Sequence, residues 1–316
     1  MSEAGVGWEH TLTLNSGHKI PLLGLGTWRS KDPLECTSAV KASIVLGYRH
    51  IDCAAVYENE THVGQGIAEA LKELEKQGKN VTRKDLFITS KLWGNMHEPA
   101  RVKAACLQTI KDLGVGYLDL YLIHWPMALR YVEGDMFPEV DGKADSIPVP
   151  LGETWKAMEE LVKEGLVKSI GLSNCEPEDI DEVLAVCTIK PAMNQVEVHP
   201  YLSQGRLREY CSKHGIAITA YSPLGNIDPL VGSCLQEPVV ISLGEKYGRT
   251  PAQILLRFDI QLGCIVIPKS VSPKRLEENG RIFDFLISEE DMNKLLTCRS
   301  EPLRMCEAEY QPRWFK

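Results

Sequence analysis

Polar and ionisable residues stand at the carboxyl ends of a series of short apolar runs in this 316-residue chain. A packed interior would not select such side chains at the ends of apolar segments. Carboxylate, ammonium, imidazole and phenol groups can move protons and stabilise developing charge when they converge. The residues are Asp52, Lys91, His124, Ser173, Asn174, Gln195, Tyr221, Ser222, Lys269 and Ser270. If the runs are strands arranged around one axis, these side chains meet, and the sequence indicates an enzyme.

The elements that would position these residues alternate regularly. Short runs rich in Leu and β-branched residues predict strands that are buried on both faces of a parallel sheet. The predicted strands are 22–25, 49–53, 86–89, 118–123, 167–172, 193–196, 217–220 and 264–267. Amphipathic segments predict helices at 33–46, 60–77, 98–113, 153–163, 177–186, 204–214, 238–247 and 273–279.

This alternation favours an α/β fold, the closed (β/α)8 TIM barrel, in which active sites lie at the carboxyl ends of the strands. An open doubly wound sheet is the alternative. Its glycine-rich fingerprint is incomplete here, because Gly64-Gln65-Gly66 lacks the third glycine and no strand directly precedes it. We therefore interpret this segment as the start of a helix.

Three further segments surround the predicted barrel. Runs at 11–14 and 18–20 flank Asn15-Ser16-Gly17, which predicts a β-hairpin that plugs the amino-terminal end of the barrel. A loop at about 127–151 is too long for an idle connection. This loop and the tail at about 299–316 could wall a pocket. No linker composition divides the chain, so we expect one domain over residues 1–316.

Composition narrows the possible functions. The net charge of -8 argues against a nucleic-acid binder, because phosphate binding needs a basic face. Residues 1–10 do not resemble a signal peptide, and no apolar stretch approaches the roughly 18 residues of a membrane span. The ten cysteines show no metal-ligand spacing. We expect a cytoplasmic protein with reduced thiols, no metal site and no membrane contact.

Several ordered motifs resemble those of the aldo-keto reductase family. Segment 47–57, GYRHIDCAAVY, resembles the first family signature, and IPKS at 267–270, followed by Arg275 and Asn279, resembles the cofactor-binding signature. The motifs SKLW, LIHWP and GLSN lie between them in the expected order. The resemblance spans about residues 12–296, and the subgroup most resembled is the aldose and aldehyde reductases. It implies reduction of aldehydes, some ketones and possible sugar substrates.

The resemblance implies a catalytic tetrad of Tyr57, Lys91, His124 and Asp52. Carbonyl reduction needs a hydride at carbon and a proton at oxygen. A phenol with a pKa of about 10 is a poor proton donor unless its anion is stabilised. Lys91 would place a cation beside the Tyr57 oxygen, and Asp52 would hold the ammonium in place. His124 would donate a hydrogen bond to the substrate oxygen; relatives that reduce a steroid double bond have glutamate there.

The resemblance also implies NADPH as cofactor. Tyr221 would stack on the nicotinamide, while Ser173, Asn174 and Gln195 would bind its carboxamide. A cation, a hydroxyl and a guanidinium match a 2′-phosphate, so the cofactor set includes Lys269, Ser270 and Arg275. The full predicted cofactor set is Gly26, Thr27, Trp28, Ser173, Asn174, Gln195, Tyr221, Ser222, Leu224, Asp228, Lys269, Ser270, Val271, Ser272, Arg275, Glu278 and Asn279.

Aromatic residues are the expected walls of the substrate pocket, because they offer a large apolar area at little entropic cost. The predicted set is Trp28, Tyr57, Trp93, His124 and Trp125. The substrate would be a small carbonyl compound, and the resemblance implies a monomer. An arginine of the tail, Arg304 or Arg313, could attract carboxylated aldehydes. The alternatives are a hydroxysteroid or prostaglandin dehydrogenase and a non-catalytic barrel that acts as an auxiliary or structural subunit.

Overall fold

The structure is a computed structural model that describes residues 9–225 and 233–306. Predicted residues Asp228 and Arg313 lie outside the described part of the chain. The strands are β1 (Thr11–Thr13), β2 (Lys19–Pro21), β3 (Leu25–Gly26), β4 (His50–Asp52), β5 (Phe87–Leu92), β6 (Leu118–Ile123), β7 (Glu139–Val140), β8 (Lys143–Ala144), β9 (Val167–Ser173), β10 (Met193–Glu197), β11 (Ala217–Tyr221) and β12 (Ile265–Val266).

The helices lie between and after these strands. They are α1 (Pro33–Leu46), α2 (Glu60–Lys76), α3 (Pro99–Leu113), α4 (Leu151–Lys163), α5 (Pro177–Leu184), α6 (Gly205–His214), α7 (Pro238–Tyr247), α8 (Pro251–Gln261), α9 (Pro273–Gly280) and α10 (Glu289–Leu296). Short 3-10 turns occupy Ala55–Tyr57, Arg83–Asp85, Gly94–Met96 and Cys234–Gln236. No helix in the described residues is long and apolar enough to cross a bilayer.

Eight parallel strands form the central sheet, in the order β12-β11-β10-β9-β6-β5-β4-β3. Its first and last strands are joined by backbone hydrogen bonds. The Gly24 amide donates to the Val266 carbonyl at 2.9 Å, and the Val266 amide donates to the Leu22 carbonyl at 2.9 Å. These bonds close the sheet, which confirms the predicted barrel and brings all eight carboxyl ends to one rim.

The predicted amino-terminal hairpin is present. Strands β1 and β2 pair antiparallel, with Leu12 opposite Ile20. The buried side chains of Leu14 and Ile20 pack against barrel residues such as Met193 and Ile265. The side-chain amide of Asn15 donates to the Pro191 carbonyl at 2.7 Å, just before β10 begins. The hairpin therefore covers the end of the barrel opposite the rim that carries the polar residues.

Local signals explain where several helices begin. The Asp32 carboxylate accepts a hydrogen bond from the Glu35 amide and so caps the start of α1. Thr250 caps α8 in the same way, with Pro251 in the first turn. Helices α8 and α10 were not predicted, although both are regular. Gly64 and Gly66 lie inside α2 rather than at its first residue, and they pack against neighbouring elements.

Candidate active site

The predicted catalytic residues meet at the rim of the barrel. Asp52 is the last residue of β4, Lys91 lies within β5, and His124 directly follows β6. Ser173 and Tyr221 close β9 and β11. The sequence predicted that Lys91, Ser173 and Tyr221 follow their strands. The strands are longer at their carboxyl ends, because hydrogen bonding to neighbouring strands continues beyond the apolar runs.

Lys91 lies at the centre of the site. Its ammonium is fully buried and lies 2.5 Å from the Asp52 Oδ1 atom. It also donates to the Cys53 carbonyl at 2.8 Å and to the Tyr57 hydroxyl at 3.4 Å. Gln195 donates from across the barrel to the second oxygen of Asp52 at 2.7 Å. Asp52 is therefore held on both oxygens, and it fixes the ammonium beside the phenol.

The turn after β4 delivers Tyr57 to this point. Residues Ala55–Tyr57 form a 3-10 turn, which Glu58 ends in the left-handed region at φ 54°. The turn brings the Tyr57 ring within 5.8 Å of the His124 ring, measured between centroids. The sequence predicted Tyr57 from the signature alone, since no periodic pattern marks a short turn of this kind.

Burial and charge act in opposite directions on the phenol. Burial raises the pKa of Tyr57 to about 12, while the nearby Lys91 ammonium lowers it. Burial also lowers the pKa of Lys91, but the Asp52 carboxylate and the Tyr57 phenol outweigh it, so that the pKa of Lys91 is raised. Tyr57 thus keeps its proton at neutral pH, and Lys91 keeps its positive charge.

His124 is neutral in this environment. Burial, with a smaller contribution from the Lys91 cation, holds the pKa of His124 well below its usual range. A neutral imidazole has one N–H donor. The Trp93 ring packs against the imidazole edge to face, with centroids 5.3 Å apart. His124 can therefore donate a hydrogen bond without having gained a proton from solvent.

A second set of hydrogen-bonded polar residues lies across the rim from Lys91 and Tyr57. Asn174 adopts the left-handed region at φ 57°, which Asn tolerates, and its amide donates to the His124 carbonyl at 2.9 Å. Its side-chain oxygen accepts from the Tyr221 hydroxyl at 2.9 Å. The Ser173 hydroxyl donates to the Gln195 carbonyl at 2.8 Å. These contacts link β6, β9, β10 and β11 into one polar wall.

A cavity of about 530 Å³ opens over both groups. Most of the predicted catalytic, cofactor and substrate residues line it: Gly26, Thr27, Trp28, Asp52, Tyr57, Trp93, His124, Trp125, Asn174, Gln195, Tyr221, Ser222, Leu224 and Lys269. Lys91 and Ser173 are buried directly behind this lining. One cavity therefore joins the proposed proton donor to the proposed carboxamide site.

The remaining predicted cofactor residues lie beyond this cavity, around the first turns of α9. The Ser272 hydroxyl caps the helix by accepting from the Arg275 amide at 3.5 Å. Ser270 accepts from the Ser272 amide at 3.2 Å. Val271 and Glu278 are half-buried and Asn279 is buried. Lys269 and Arg275 are exposed, and the described residues give neither a salt-bridge partner. A helix amino terminus with two such cations suits an anion.

Several cavity residues were missed by sequence reasoning as individual residues. They are Arg29, Val56, Phe137, Pro223, Gly225, Ile267, Pro268, Met305 and Cys306. Phe137 comes from the long loop, whose Met136 carbonyl accepts from the Trp93 indole at 2.5 Å. Met305 and Cys306 come from the tail. The sequence did indicate that both segments could wall a pocket, but only tertiary contacts select which residues face inward.

Arg304 lies near two carboxylates, just before the tail residues that line the cavity. Its guanidinium lies 3.9 Å from the Glu176 carboxylate and 4.0 Å from the Glu197 carboxylate. It does not belong to the cavity lining. These contacts attach the tail, and the attraction of carboxylated aldehydes by an arginine of the tail stays a prediction.

Comparison with known proteins places this chain in a family. The sequence profile of the Aldo/keto reductase family matches residues 22–228 and 236–299. Aldo-keto reductase family 1 member A1 of Rattus norvegicus is 48% identical over 290 residues, which cover 90% of this chain and 88% of that protein. The protein of the same name from Homo sapiens is 48% identical, covering 89% and 87%.

A solved structure gives the same result for the fold. The aldose reductase of Schistosoma japonicum matches with a TM-score of 0.85 and 46% identity, covering 91% of each chain. The family match, the sequence identity and the shared barrel agree over nearly the same residues. This chain belongs to the aldo/keto reductase family and is an oxidoreductase enzyme.

Proposed function

We propose that this enzyme reduces aldehydes, and some ketones, to alcohols with NADPH as the hydride donor. The observation that carries the proposal is the buried Lys91 ammonium, 2.5 Å from Asp52 and 3.4 Å from the Tyr57 hydroxyl, at the wall of a cavity. A buried ion pair is costly to build and contributes little to stability by itself. Its placement against a phenol beside an open cavity favours a role in proton transfer.

The proton is proposed to come from Tyr57. Because burial raises the pKa of Tyr57 to about 12, the hydroxyl is protonated when a carbonyl compound arrives. As the carbonyl oxygen becomes an alkoxide, it becomes a stronger base than phenolate and takes this proton. The Lys91 ammonium stabilises the phenolate left behind, and Asp52 keeps the ammonium from moving. His124 donates to the same oxygen as its charge develops.

The residues on the opposite wall fit a nicotinamide coenzyme, which supplies the hydride when bound. The Tyr221 ring lines the cavity beside the amide groups of Asn174 and Gln195. The Asn174 and Ser173 side chains are already oriented by hydrogen bonds. Such fixed donors and acceptors suit the edge of a carboxamide, since little reorganisation is required on binding.

The preference for a 2′-phosphate is assigned to the α9 end of the site. Lys269 lines the cavity, and Arg275 lies in the first turn of α9. Both are exposed cations without a described salt-bridge partner. The helix amino terminus adds partial positive charge there. A phosphate dianion would therefore find two cations and neighbouring hydroxyl groups, which supports NADPH over NADH.

The decisive variant is Tyr57→Phe. It removes the proposed proton donor and should lower kcat by about 10²- to 10⁴-fold, the usual contribution of a general acid. NADPH binding, followed by quenching of tryptophan fluorescence, should change little. Turnover is measured at 340 nm with NADPH and a nitro-aromatic aldehyde.

A matched control is Tyr210→Phe, because the Tyr210 hydroxyl contacts Asp181 far from the cavity. This variant should retain normal turnover. Normal turnover by Tyr57→Phe would remove the assignment. A panel of aldehydes, sugars and steroids, run with the unaltered enzyme, separates aldehyde reduction from the dehydrogenase alternative.

A further inference from the structure

One buried carboxylate at the rim takes no part in the proposed proton transfer. Glu197 is the last residue of β10 and is fully buried. It lies two residues after Gln195 and therefore on the same face of the strand. Gln195 contacts Asp52, whereas Glu197 contacts a different part of the molecule.

The contacts of Glu197 are with the backbone of the tail. Its Oε1 atom accepts a hydrogen bond from the Met305 amide at 2.7 Å. The Cys306 amide donates to both oxygens, at 3.2 Å and 3.1 Å. Hydrogen bonds to an ionised acceptor are stronger than those between neutral groups. One carboxylate therefore holds two successive amides of a segment that has no regular secondary structure of its own.

Neighbouring groups orient this carboxylate. The His199 Nε2 atom lies 2.9 Å from Glu197 Oε1, and both side chains are fully buried. The Arg304 guanidinium lies 4.0 Å from the Oε2 atom. A separate hydrogen bond, from the Leu303 amide to the Tyr201 carbonyl at 2.8 Å, fixes the segment just before this point. His199 therefore orients the carboxylate from outside the tail, whereas Arg304 and Leu303 belong to the tail and add to its attachment.

The segment that Glu197 holds forms part of the cavity wall. Met305 and Cys306 line the cavity that also contains Tyr57. The Cys306 sulfur also lies 3.2 Å from the Ser222 hydroxyl oxygen. The position of this wall therefore depends on a carboxylate that does not itself line the cavity.

We propose that Glu197 is a positioning residue that sets the substrate selectivity of the enzyme, by fixing Met305 and Cys306 as a wall of the carbonyl pocket. The role of Glu197 in substrate selectivity rests on the proposed reduction of aldehydes. The anchoring of the tail is a separate and measurable claim. On this proposal, a large aromatic aldehyde contacts Met305 and Cys306, whereas a small aldehyde is reduced without contacting them.

The test compares Glu197→Gln with a matched variant, Glu159→Gln. Glu159 is also buried, and it accepts hydrogen bonds from two successive backbone amides, those of Thr188 and Ile189, at 2.6 Å and 2.7 Å. Its contacts lie away from the cavity. The two substitutions therefore make the same chemical change in the same kind of contact, and only one of them concerns the tail.

Two quantities are measured. Glu197→Gln should change the ratio of kcat/KM for nitrobenzaldehyde to that for propanal by about tenfold, the size expected when pocket contacts change. The change should arise mainly in KM. Amide hydrogen exchange at Met305 and Cys306 should become faster. Glu159→Gln should leave both the ratio and these two amides unchanged, while it accelerates exchange at Thr188 and Ile189.

A second pair of variants tests the same hydrogen bond from the side of the tail, and it decides the question if Glu197→Gln does not fold. Met305→Pro has no amide hydrogen to donate, and Met305→Leu alters the side chain but keeps the amide. The proline variant should change the selectivity ratio more than the leucine variant. Equal effects of the two would show that the side chain, not its anchor, determines selectivity, and would overturn the proposal.

Other results also decide between the claims. Unchanged exchange at Met305 in Glu197→Gln would overturn the anchor. Faster exchange with an unchanged ratio would overturn the role in selectivity. If the unaltered enzyme reduces neither aldehyde with NADPH, the proposed function and the role in selectivity fail together, while the exchange measurement still decides whether Glu197 anchors the tail.

Discussion

At the scale of single residues, burial and a neighbouring charge together determine the pKa of the proposed proton donor. Burial raises the pKa of Tyr57 and keeps its proton, although the Lys91 cation acts against this. The sequence predicted the effect of Lys91 from residue types, but not that burial would outweigh it. Burial depends on the tertiary structure around the cavity, and local patterns do not identify lining residues such as Phe137 and Met305.

The cofactor preference is also decided by single residues. Lys269→Ala should weaken NADPH binding about tenfold, because a hydrogen bond to a charged group contributes about 1.5–3 kcal/mol and 1.4 kcal/mol is tenfold in affinity. NADH, which lacks the 2′-phosphate, should be affected less than about twofold. Titration of tryptophan fluorescence with each coenzyme provides both dissociation constants.

Lys274→Ala is the control for this prediction. Lys274 is exposed, lies at the start of α9 close to Lys269 in sequence and carries the same charge, but it does not line the cavity. If the two alanine variants weaken NADPH equally, the preference reflects overall charge rather than a contact of Lys269. Equal losses for NADPH and NADH would contradict the phosphate assignment.

At the scale of elements, the sequence predicted most helices with one buried face, but it missed α8 and also the short helix α10, whose buried residues Asp291, Met292 and Leu295 do share a face. Helix α2 alternates buried and exposed residues and was predicted to within one residue of its end. Helix α8 is buried at every position from Ile254 to Asp259, so it lacks the amphipathic period that separates a helix from a strand. Its cap was visible, with Thr250 before Pro251. Strands β5, β9, β10 and β11 extend beyond their predicted carboxyl ends, because these polar ends carry the site, whereas β3, β4 and β12 are shorter than predicted.

Close packing between helices α2 and α3 explains the glycine at position 64, to which the sequence motifs assigned no role. A Cβ atom at Gly64 in α2 would lie 2.4 Å from the Leu113 carbonyl oxygen at the end of α3. Helix propensity alone favours alanine by about 1 kcal/mol. The contact is with backbone, which cannot rotate away. Gly64→Ala should therefore destabilise the fold by about 1–3 kcal/mol, the usual cost of overpacking.

Urea unfolding followed by circular dichroism measures this effect. Gly205→Ala is the control, because Gly205 begins α6 without a positive φ, and a Cβ atom added there would have no neighbouring atom within 4 Å among the described residues. It should be neutral or slightly stabilising. A stabilised Gly64→Ala would mean that α2 and α3 can separate at little cost.

At the scale of the whole molecule, barrel closure makes distant residues into one site. Gln195 and Asp52 are 143 positions apart in sequence, and they meet at 2.7 Å because their strands lie across the same rim. The sequence predicted this meeting from the alternation of strands and helices. It could not predict the attachment of the tail, because Glu197 resembles any polar residue at the end of a strand until the fold brings Met305 to it.

The same closed fold contains a buried acid whose effect should be visible in global stability. Asp259 lies in α8, is fully buried, and neither of its carboxyl oxygens has a hydrogen-bond partner among the described residues. Burial raises the pKa of Asp259 well above its ordinary value, with only a smaller opposing effect of Arg208. The folded state therefore holds this proton at pH values where the unfolded chain has lost it.

The sign of the pH dependence follows from this difference. Above the unfolded pKa of about 3.9, the folded state binds more protons, so the free energy of unfolding falls as pH rises, by at most about 1.4 kcal/mol per pH unit for this group. The asparagine in Asp259→Asn cannot ionise, so the free energy of unfolding of this variant does not fall with pH for that reason. The difference in free energy of unfolding between the variant and the unaltered protein should grow between about pH 4 and pH 7. Urea unfolding of both proteins at several pH values measures that difference. The contributions of the other titrating groups are common to both proteins and cancel. A difference that stays constant with pH would show that Asp259 is ionised at no energetic cost in the folded state.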